Sequence, residues 1–256
     1  MIEIPLLTII SGLMTIGVRL TGLMLFAPWF GNSVIPVRVK AGLVLALTLL
    51  LFPSVGHGIG TYAAGEWPML VISEFLIGVG MGIATNIVFE AAQLAGEVLG
   101  MQMGYSLVNM LDPLTQVDTK VIPVFYQCMI VLLFLRMDVH YWLLKAIGNS
   151  FLYLPPGSAH LSGLFSWSIV TTAGTLFGLG VQISAPVLSA TLVTDILLGL
   201  LGKASPQMPL ILLGPAIKSM LGIVILIATL KYWPDLYHHL FSDSITAGER
   251  ILHLAR

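Results

Sequence analysis

Apolar runs with few charges follow one another along the chain, separated by charged residues, glycines and prolines. No long stretch alternates apolar and polar residues, so the pattern does not predict a membrane β-barrel. Several runs are shorter than the roughly 20 residues that a membrane-crossing helix needs. We therefore expect an all-α, membrane-associated protein of broken helices and helical hairpins. The expected helical runs are 4–18, 41–52, 68–99, 121–135, 140–153, 166–201 and 209–230, followed by an amphipathic tail.

The composition favours a membrane environment. Hydrophobic residues make up 57% of the 256 residues, charged residues only 9%, and the mean hydropathy is +0.97, whereas soluble domains carry about 25% charged residues. The net charge of -1 gives no reason to expect a nucleic-acid partner. The single cysteine, Cys128, is expected to be a small buried residue. Glu3 stands where a signal peptide has its basic region, so no cleaved leader is expected.

Polar and small residues recur every three or four positions along the long run that follows Pro68, which predicts one shared helical face. Polar side chains are costly next to lipid, so this polar stripe should meet protein or water. It could line a path across the membrane, or form a helix-contact seam in which small residues let backbones approach closely. Its polar members are Glu74, Asn86, Glu90, Gln93 and Glu97, and its glycines are Gly78, Gly82, Gly100 and Gly104.

Two ionisable residues stand alone in other apolar runs. Arg19 is the isolated charge of the first run, and we expect it to form a structural ion pair with a carboxylate of the polar stripe helix. Asp195 is the isolated charge of the run 166–201. For Asp195, a paired structural carboxylate and a proton relay are both open interpretations.

The segment after the polar stripe is rich in methionine and reaches a helix-breaking Asp-Pro pair. Methionine suits surfaces that repack around varied partners, although it also fills gaps in ordinary cores. A loop at about 101–119 would place apolar side chains where they can obstruct a lumen. The candidate pore and plug residues are Met101, Gln102, Met103, Leu107, Met110, Asp112 and Pro113.

The sequence shows no familiar catalytic constellation. It lacks the His-Glu-x-x-His zinc helix, the Cys-x-x-Cys pair and the Gly-x-Ser-x-Gly elbow. His238 and His239 lie near Asp243, but adjacent helical residues point apart, so a solvated face is expected rather than a metal site. We expect neither an enzyme nor a bound cofactor.

Three blocks of sequence resemble the FliR/SctT export-gate family of type III secretion. The likeness covers roughly residues 20 to 230, and its central block is specific because Gly, Gln, Met and Asp-Pro recur together at fixed spacing. The matching residues are Val18-Arg19-Leu20, Pro28-Trp29-Phe30-Gly31 and Ile35-Pro36-Val37-Arg38; then 96–104 with Asp112-Pro113; then Asp138, His140, Trp142, Leu143, Ser150-Phe151 and Pro155.

The resemblance implies a chain that combines two kinds of export-gate subunit. Residues 1–180 would form a FliP-like helical part that contains the plug segment. Residues 181–231 would form a hairpin like that of the small subunit FliQ, and 232–256 an amphipathic tail. The hairpin likeness is carried by 185–188, 192–194 and 203–208.

The resemblance also implies a function and partners. One such subunit would join several copies each of FliP and FliQ in a channel that passes unfolded flagellar subunits. FlhA and FlhB would act with it in the bacterial inner membrane, at the flagellar basal body. A loop would plug the closed pore, with Leu107 and Met110 at positions where the family has aromatic side chains. Lys203 and Gln207 fall at the hairpin tip, which is either a contact with FlhB or a solvated turn.

Other functions are not excluded by the sequence. The virulence branch, SctT, shares the family pattern, and a secondary transporter could use the polar stripe as its binding site. A transporter should show paired inverted repeats, and we find no convincing repeat. An intramembrane enzyme is the third alternative.

Overall fold

The computed structural model describes residues 6–28, 35–55, 62, 65–105, 120–159, 163–205, 207 and 210–254. These ranges contain helices and no strand, which confirms the all-α prediction for them. A short 3-10 helix, Leu230–Tyr232, joins the last two α-helices. The α-helices are α1 (Leu6–Phe26), α2 (Val37–Val55), α3 (Trp67–Gln102), α4 (Val121–Arg136), α5 (Val139–Tyr153), α6 (Gly163–Ala204), α7 (Leu210–Thr229) and α8 (Trp233–Leu254).

Most helices extend beyond the apolar runs that predicted them. Pro53 was expected to end α2, yet it lies inside that helix, as Pro186 and Pro215 lie inside α6 and α7. Membrane helices tolerate proline because neighbouring groups satisfy the carbonyl that it frees. A clear interruption comes at Asp138, whose left-handed φ of 56° separates α4 from α5.

Within the described ranges, five helical stretches are long and apolar enough to cross a membrane, or six if α4 and α5 together count as one span. The five comprise α1, α2, α3, α6 and the stretch Leu213–Leu254. The protein is therefore an all-α membrane protein. α2 stands out because only 6% of the residues in its span are buried, and Leu45, Leu49 and Leu50 leave more than half of their surface available to lipid or to other proteins.

The chain divides into two compact units, each assembled from separate stretches of sequence. The first unit comprises Met1–Ile87, Asp138–Thr175 and Phe241–Arg256, and the second comprises Val88–Met137 and Leu176–Leu240. The division implied by the resemblance, at 180 and 231, concerns likeness to other subunits, and it stays a prediction.

The first unit has an apolar core to which α1, α3 and α5 contribute most. Its side chains are almost completely removed from solvent, which is the main favourable term in forming such a unit from its helices. The core includes Ile16, Leu20, Leu23, Ile77, Met81, Ala84, Leu143, Ile147, Phe151, Phe165, Ile251 and Leu252.

Glycines allow α1 and α3 to touch backbone to backbone in the first unit. A Cβ added to Gly78 would overlap the backbone carbonyl of Arg19, and one added to Gly22 would overlap that of Phe75. At Gly82, the added atom would lie 2.8 Å from the carbonyl oxygen of Leu23. This half of the polar stripe thus forms a helix-contact seam of the small-residue kind.

In the second unit, a glycine again allows close backbone contact, here between α3 and α4. A Cβ on Gly96 would lie 2.6 Å from the Cα of Pro123, which stands in the first turn of α4, where proline is tolerated. Farther along, the rings of Tyr126 and Trp233 lie 4.8 Å apart between centroids, and Tyr237 joins Trp233 at 5.7 Å. Trp233 is buried in this cluster of rings.

Cys128 corrects another expectation. It was predicted to be buried, but it is exposed on α4. The prediction failed because it rested on the average behaviour of cysteine. The side chains of α4 that are buried instead include Ile122, Tyr126, Ile130 and Phe134.

The seam between α1 and α3 makes a prediction about Gly78. Gly78→Ala should lower the unfolding temperature of the detergent-solubilised protein, because overlap with a backbone carbonyl forces the helices apart at a cost of about 1–3 kcal/mol or more. Gly42→Ala in α2 is the matched control, since an added Cβ there meets nothing within 4 Å. The control should be neutral or slightly stabilising. Equal unfolding temperatures for the two variants would refute the seam.

Candidate functional site

A buried ion pair joins α1 to α3 within the first unit. Arg19 Nε lies 2.7 Å from Glu74 Oε2, and the two side chains are 1% and 0% exposed. Removing two charges from water costs several kcal/mol per ion unless further hydrogen bonds satisfy them. The pair therefore requires a surrounding set of polar partners.

Those partners come from the end of α5 and the turn after it. Arg19 Nη1 donates to Ser150 Oγ at 3.2 Å, and Nη2 donates to the carbonyl oxygen of Leu154 at 3.0 Å. The guanidinium also lies 4.2 Å from the ring centroid of Phe151, a cation–π distance. The second carboxylate oxygen of Glu74 accepts the backbone N–H of Gly157 at 3.0 Å. Arg19 and Glu74 thus tie α1 and α3 to the α5 turn.

Tyr62 closes the same turn from another side. Its hydroxyl donates to the carbonyl oxygen of Pro156 at 2.7 Å. Burial raises the pKa of the Tyr62 hydroxyl, and the nearby Glu74 and Glu66 carboxylates raise it further. Tyr62 therefore keeps its proton and remains a donor at neutral pH. Gly157 is required beside it, because it has a φ of 82° and a Cβ there would lie 2.5 Å from the Tyr62 oxygen.

A second polar network lies in the second unit, where α3 ends. Gln102 Nε2 donates to Asp195 Oδ2 at 2.7 Å, and Lys218 Nζ lies 2.8 Å from Asp195 Oδ1. The side chains of Lys218 and Asp195 are 18% and 40% exposed, so water can reach this pair. Asp195 is thus a paired carboxylate that connects α3, α6 and α7.

The residues next to Gln102 are also fixed to α7. Met103 is fully buried, and its side chain fills the space that a Cβ on Gly222 would need, 2.7 Å from the methionine Cε. Ser219 Oγ donates to the carbonyl oxygen of Met103 at 2.8 Å. Gly104 has a φ of 88° and lies against Pro215, where a Cβ would be 2.8 Å from the proline ring. Together with the hydrogen bond from Gln102 to Asp195, these three contacts hold the chain at the end of α3.

The remaining members of the polar stripe have different surroundings. Glu90 and Gln93 are exposed, and Asn86 and Glu97 are partly buried. Gln93 Nε2 donates to Glu97 Oε1 at 3.3 Å. The members of the polar stripe are spaced, on average, by slightly more than the 3.6 residues of a helical turn. The polar stripe therefore winds around α3 and does not stay on one face of the helix.

Other predicted site residues have simpler placements. Met101 is 61% exposed, and Lys203 and Gln207 are exposed at the turn between α6 and α7. Leu107, Met110, Asp112 and Pro113 lie outside the described residues. His238 and His239 are exposed on α8. In the part of the chain that the structure describes, no three His, Cys, Asp or Glu side chains are arranged to hold a metal ion.

Sequence reasoning missed several members of the two networks. Lys218 could have been found, because it is the one charged residue of the apolar helix α7. Ser150 was among the residues that match the family, but nothing in the sequence marked it as a partner of Arg19, since serine is common at helix contacts. The Leu154 carbonyl and the Gly157 amide are backbone groups, which composition and spacing do not reveal. They become visible only once the fold brings the α5 turn to α3.

Comparisons with known proteins agree on one family. The family model described as bacterial export proteins, family 1, matches residues 10–244. The flagellar biosynthetic protein FliR of Pectobacterium carotovorum is 31% identical over 88% of this chain and 87% of its own length. Proteins of the same name are 29% identical in Escherichia coli, over 88% and 86% of the two chains, and 25% identical in Bacillus subtilis, over 93% of each.

The Arg19–Glu74 pair makes a prediction about single and double substitutions. Arg19→Ala or Glu74→Ala alone should destabilise the protein by about 3–5 kcal/mol, because each leaves an unpaired buried charge. The combined change Arg19→Met with Glu74→Leu should cost less than either single change. Thermal unfolding in detergent measures both effects, and Arg136→Ala, at an exposed arginine of α4, is the control. If the double variant loses as much stability as the two single losses added, the charges are not coupled.

Proposed function

We infer that the chain, which belongs to family 1 of the bacterial export proteins, is a component of the flagellar protein-export gate. The likeness extends over most of both chains for each relative named above, so it concerns the whole protein and not one motif. Those relatives carry flagellar names, which favours the flagellar branch over the virulence branch, SctT.

The structural observation that supports an assembly of several subunits is the length of the exposed apolar surface on α6. Exposed large apolar side chains occur along it from Leu164 to Leu201, a span of about 55 Å at 1.5 Å per residue. A bilayer core of about 30 Å would cover this span only at a tilt of roughly 57°, beyond the usual range of 0–40°. Cover of part of α6 by neighbouring protein chains would account for this length, which supports the proposed assembly.

The proposed neighbours are those that the resemblance implies. Several copies each of FliP and FliQ would form the channel with this chain, and FlhA and FlhB would act with it. Unfolded flagellar subunits would pass through the channel, in the inner membrane at the flagellar basal body. Support comes from family membership and from the exposed α6 surface, which fits a subunit made to pack against others. The exposed turn with Lys203 and Gln207 is the proposed contact with FlhB.

The proposed gate is the segment that follows α3. The predicted plug segment began at about 101, but Met101 and Gln102 belong to α3 and Met103 is buried. The resemblance to the family's plug segment therefore supports a seal in the part of 101–119 that lies beyond Gly104. The anchoring of Met103 and Gly104 on α7 also supports it, because a seal needs a fixed point of attachment. Leu107 and Met110 would close the lumen by apolar contacts rather than by aromatic rings.

Co-purification tests membership of the gate. When the tagged chain is expressed with the FliP- and FliQ-like proteins of its own genome, it should purify with both, and both should be present in excess over it. Mass measurement of the intact complex gives the ratio. The matched control is the tagged chain expressed alone. A stable monomer that transports a small solute in liposomes would refute the export-gate proposal.

A leak assay tests the seal. Replacing Leu107 and Met110 together by Ser should let small ions pass through the assembled gate, because hydroxyl groups do not exclude water from a constriction as apolar side chains do. Met220→Ser, at an exposed methionine of α7, is the control and should not leak. Conductance of the purified complex in a planar bilayer measures the effect. Unchanged conductance in the double variant would place the seal elsewhere.

A further inference from the structure

An apolar cleft of about 650 Å³ opens between α1 and α2 in the first unit. Its walls are formed almost entirely by aliphatic and methionine side chains, among them Leu13, Met24, Val44 and Leu45. Several of the lining side chains are half exposed or more, including Leu25 at 51% and Leu45 at 62%. The cleft is therefore a lateral opening into the surroundings of two membrane-crossing helices, and the medium around such helices is lipid or protein.

The cleft has the length of one bilayer leaflet. On α1 it extends from Leu13 to Leu25, and on α2 from Val37 to Leu49. Twelve residues at 1.5 Å each give about 18 Å on both helices, compared with about 15 Å for half of the hydrocarbon core. Gly17 lies beside Thr48, where an added Cβ would be 3.5 Å from the threonine hydroxyl, as expected if the two helices run antiparallel. The start of α2 then lies at the same end of the cleft as Leu25.

Positive charge is concentrated at that end. Lys40 lines the cleft, and Arg38, two residues before it, is exposed in the first turn of α2. Among the described residues that line the cleft there is no carboxylate. The opposite end, near Leu13 and Leu49, carries no charge among its lining residues. An occupant with an apolar chain about one leaflet long and a negative group at one end would complement this arrangement.

We propose that the cleft binds an anionic phospholipid. One acyl chain lies between α1 and α2, and the headgroup phosphate lies against Arg38 and Lys40. A helix of another subunit would bury the same apolar walls, but it has no inherent reason to place a negative group at the cationic end. This inference requires only that α1 and α2 cross the membrane, so it does not depend on the export function.

Lipid retention tests the proposal. The full chain is purified with limited detergent washing from an equimolar mixture of phosphatidylglycerol and phosphatidylcholine with the same acyl chains, and retained lipid is identified by native mass spectrometry. Phosphatidylglycerol should be retained over phosphatidylcholine by about five-fold or more, as expected for cations close to an anionic lipid. The paired change Arg38→Gln with Lys40→Gln should abolish this preference while leaving acyl-chain binding in place.

A second pair of variants separates the cleft from general contact with lipid. Ala41 lines the cleft, whereas Ala46 is exposed on α2 outside it. Ala41→Phe should fill the cleft and lower retention of both lipids, and Ala46→Phe should behave as the unchanged protein. Thermal unfolding shows that both variants remain folded.

Three outcomes would overturn the proposal. The first is equal retention of the two lipids by the unchanged protein, and the second is equal loss in Ala41→Phe and Ala46→Phe. The third is an efficient cross-link from the variant Leu45→Cys to another subunit in the assembled gate, without retained phosphatidylglycerol. That last result would assign the cleft to a protein neighbour.

Discussion

The first unit depends on keeping two full charges out of water. Arg19 and Glu74 are almost completely buried, and a lone charge in that position would be strongly unfavourable. Their mutual contact is not sufficient, since each has further hydrogen-bonding groups. Ser150, the Leu154 carbonyl and the Gly157 amide satisfy these groups. The ion pair therefore specifies where α1, α3 and the α5 turn must lie relative to one another.

The glycines of α1 and α3 belong to the same contact. The side chains of Arg19 and Glu74 meet at 2.7 Å between Nε and Oε2, and the backbones touch next to them, since a Cβ on Gly78 would overlap the carbonyl of Arg19 itself. Gly22 has the corresponding role on α1. Small residues and buried charge are thus two parts of one contact. Asp195 and Lys218 differ because water reaches them. Water can satisfy part of their hydrogen bonding, so they need fewer backbone partners than Arg19 and Glu74 do.

The sequence was informative about elements and about which residues need a partner, and less so about the partner itself. The apolar runs located the helices, and the isolation of Arg19 in an apolar run indicated an ion pair. It did not single out Glu74, because Glu90 and Glu97 had the same spacing along α3. The partner of Arg19 is determined by the fold, because the winding of the polar stripe turns Glu74 toward α1 and leaves Glu90 exposed. Backbone partners such as the Gly157 amide leave no trace in composition.

The contacts at the end of α3 have a mechanical consequence for the segment that follows. Gln102 is bound to Asp195 on α6, and the Met103 carbonyl accepts a hydrogen bond from Ser219 on α7. Met103 also fills the space beside Gly222, and Gly104 lies against Pro215. Residues of α6 and α7 thus hold the point from which the proposed gate departs. Any displacement of these two helices must either break these contacts or carry the end of α3 with it. Because water reaches Asp195 and Lys218, water can replace their mutual contacts at far lower cost than it could replace those of buried Arg19. The buried apolar contact of Met103 with α7 then determines whether the end of α3 moves with α6 and α7.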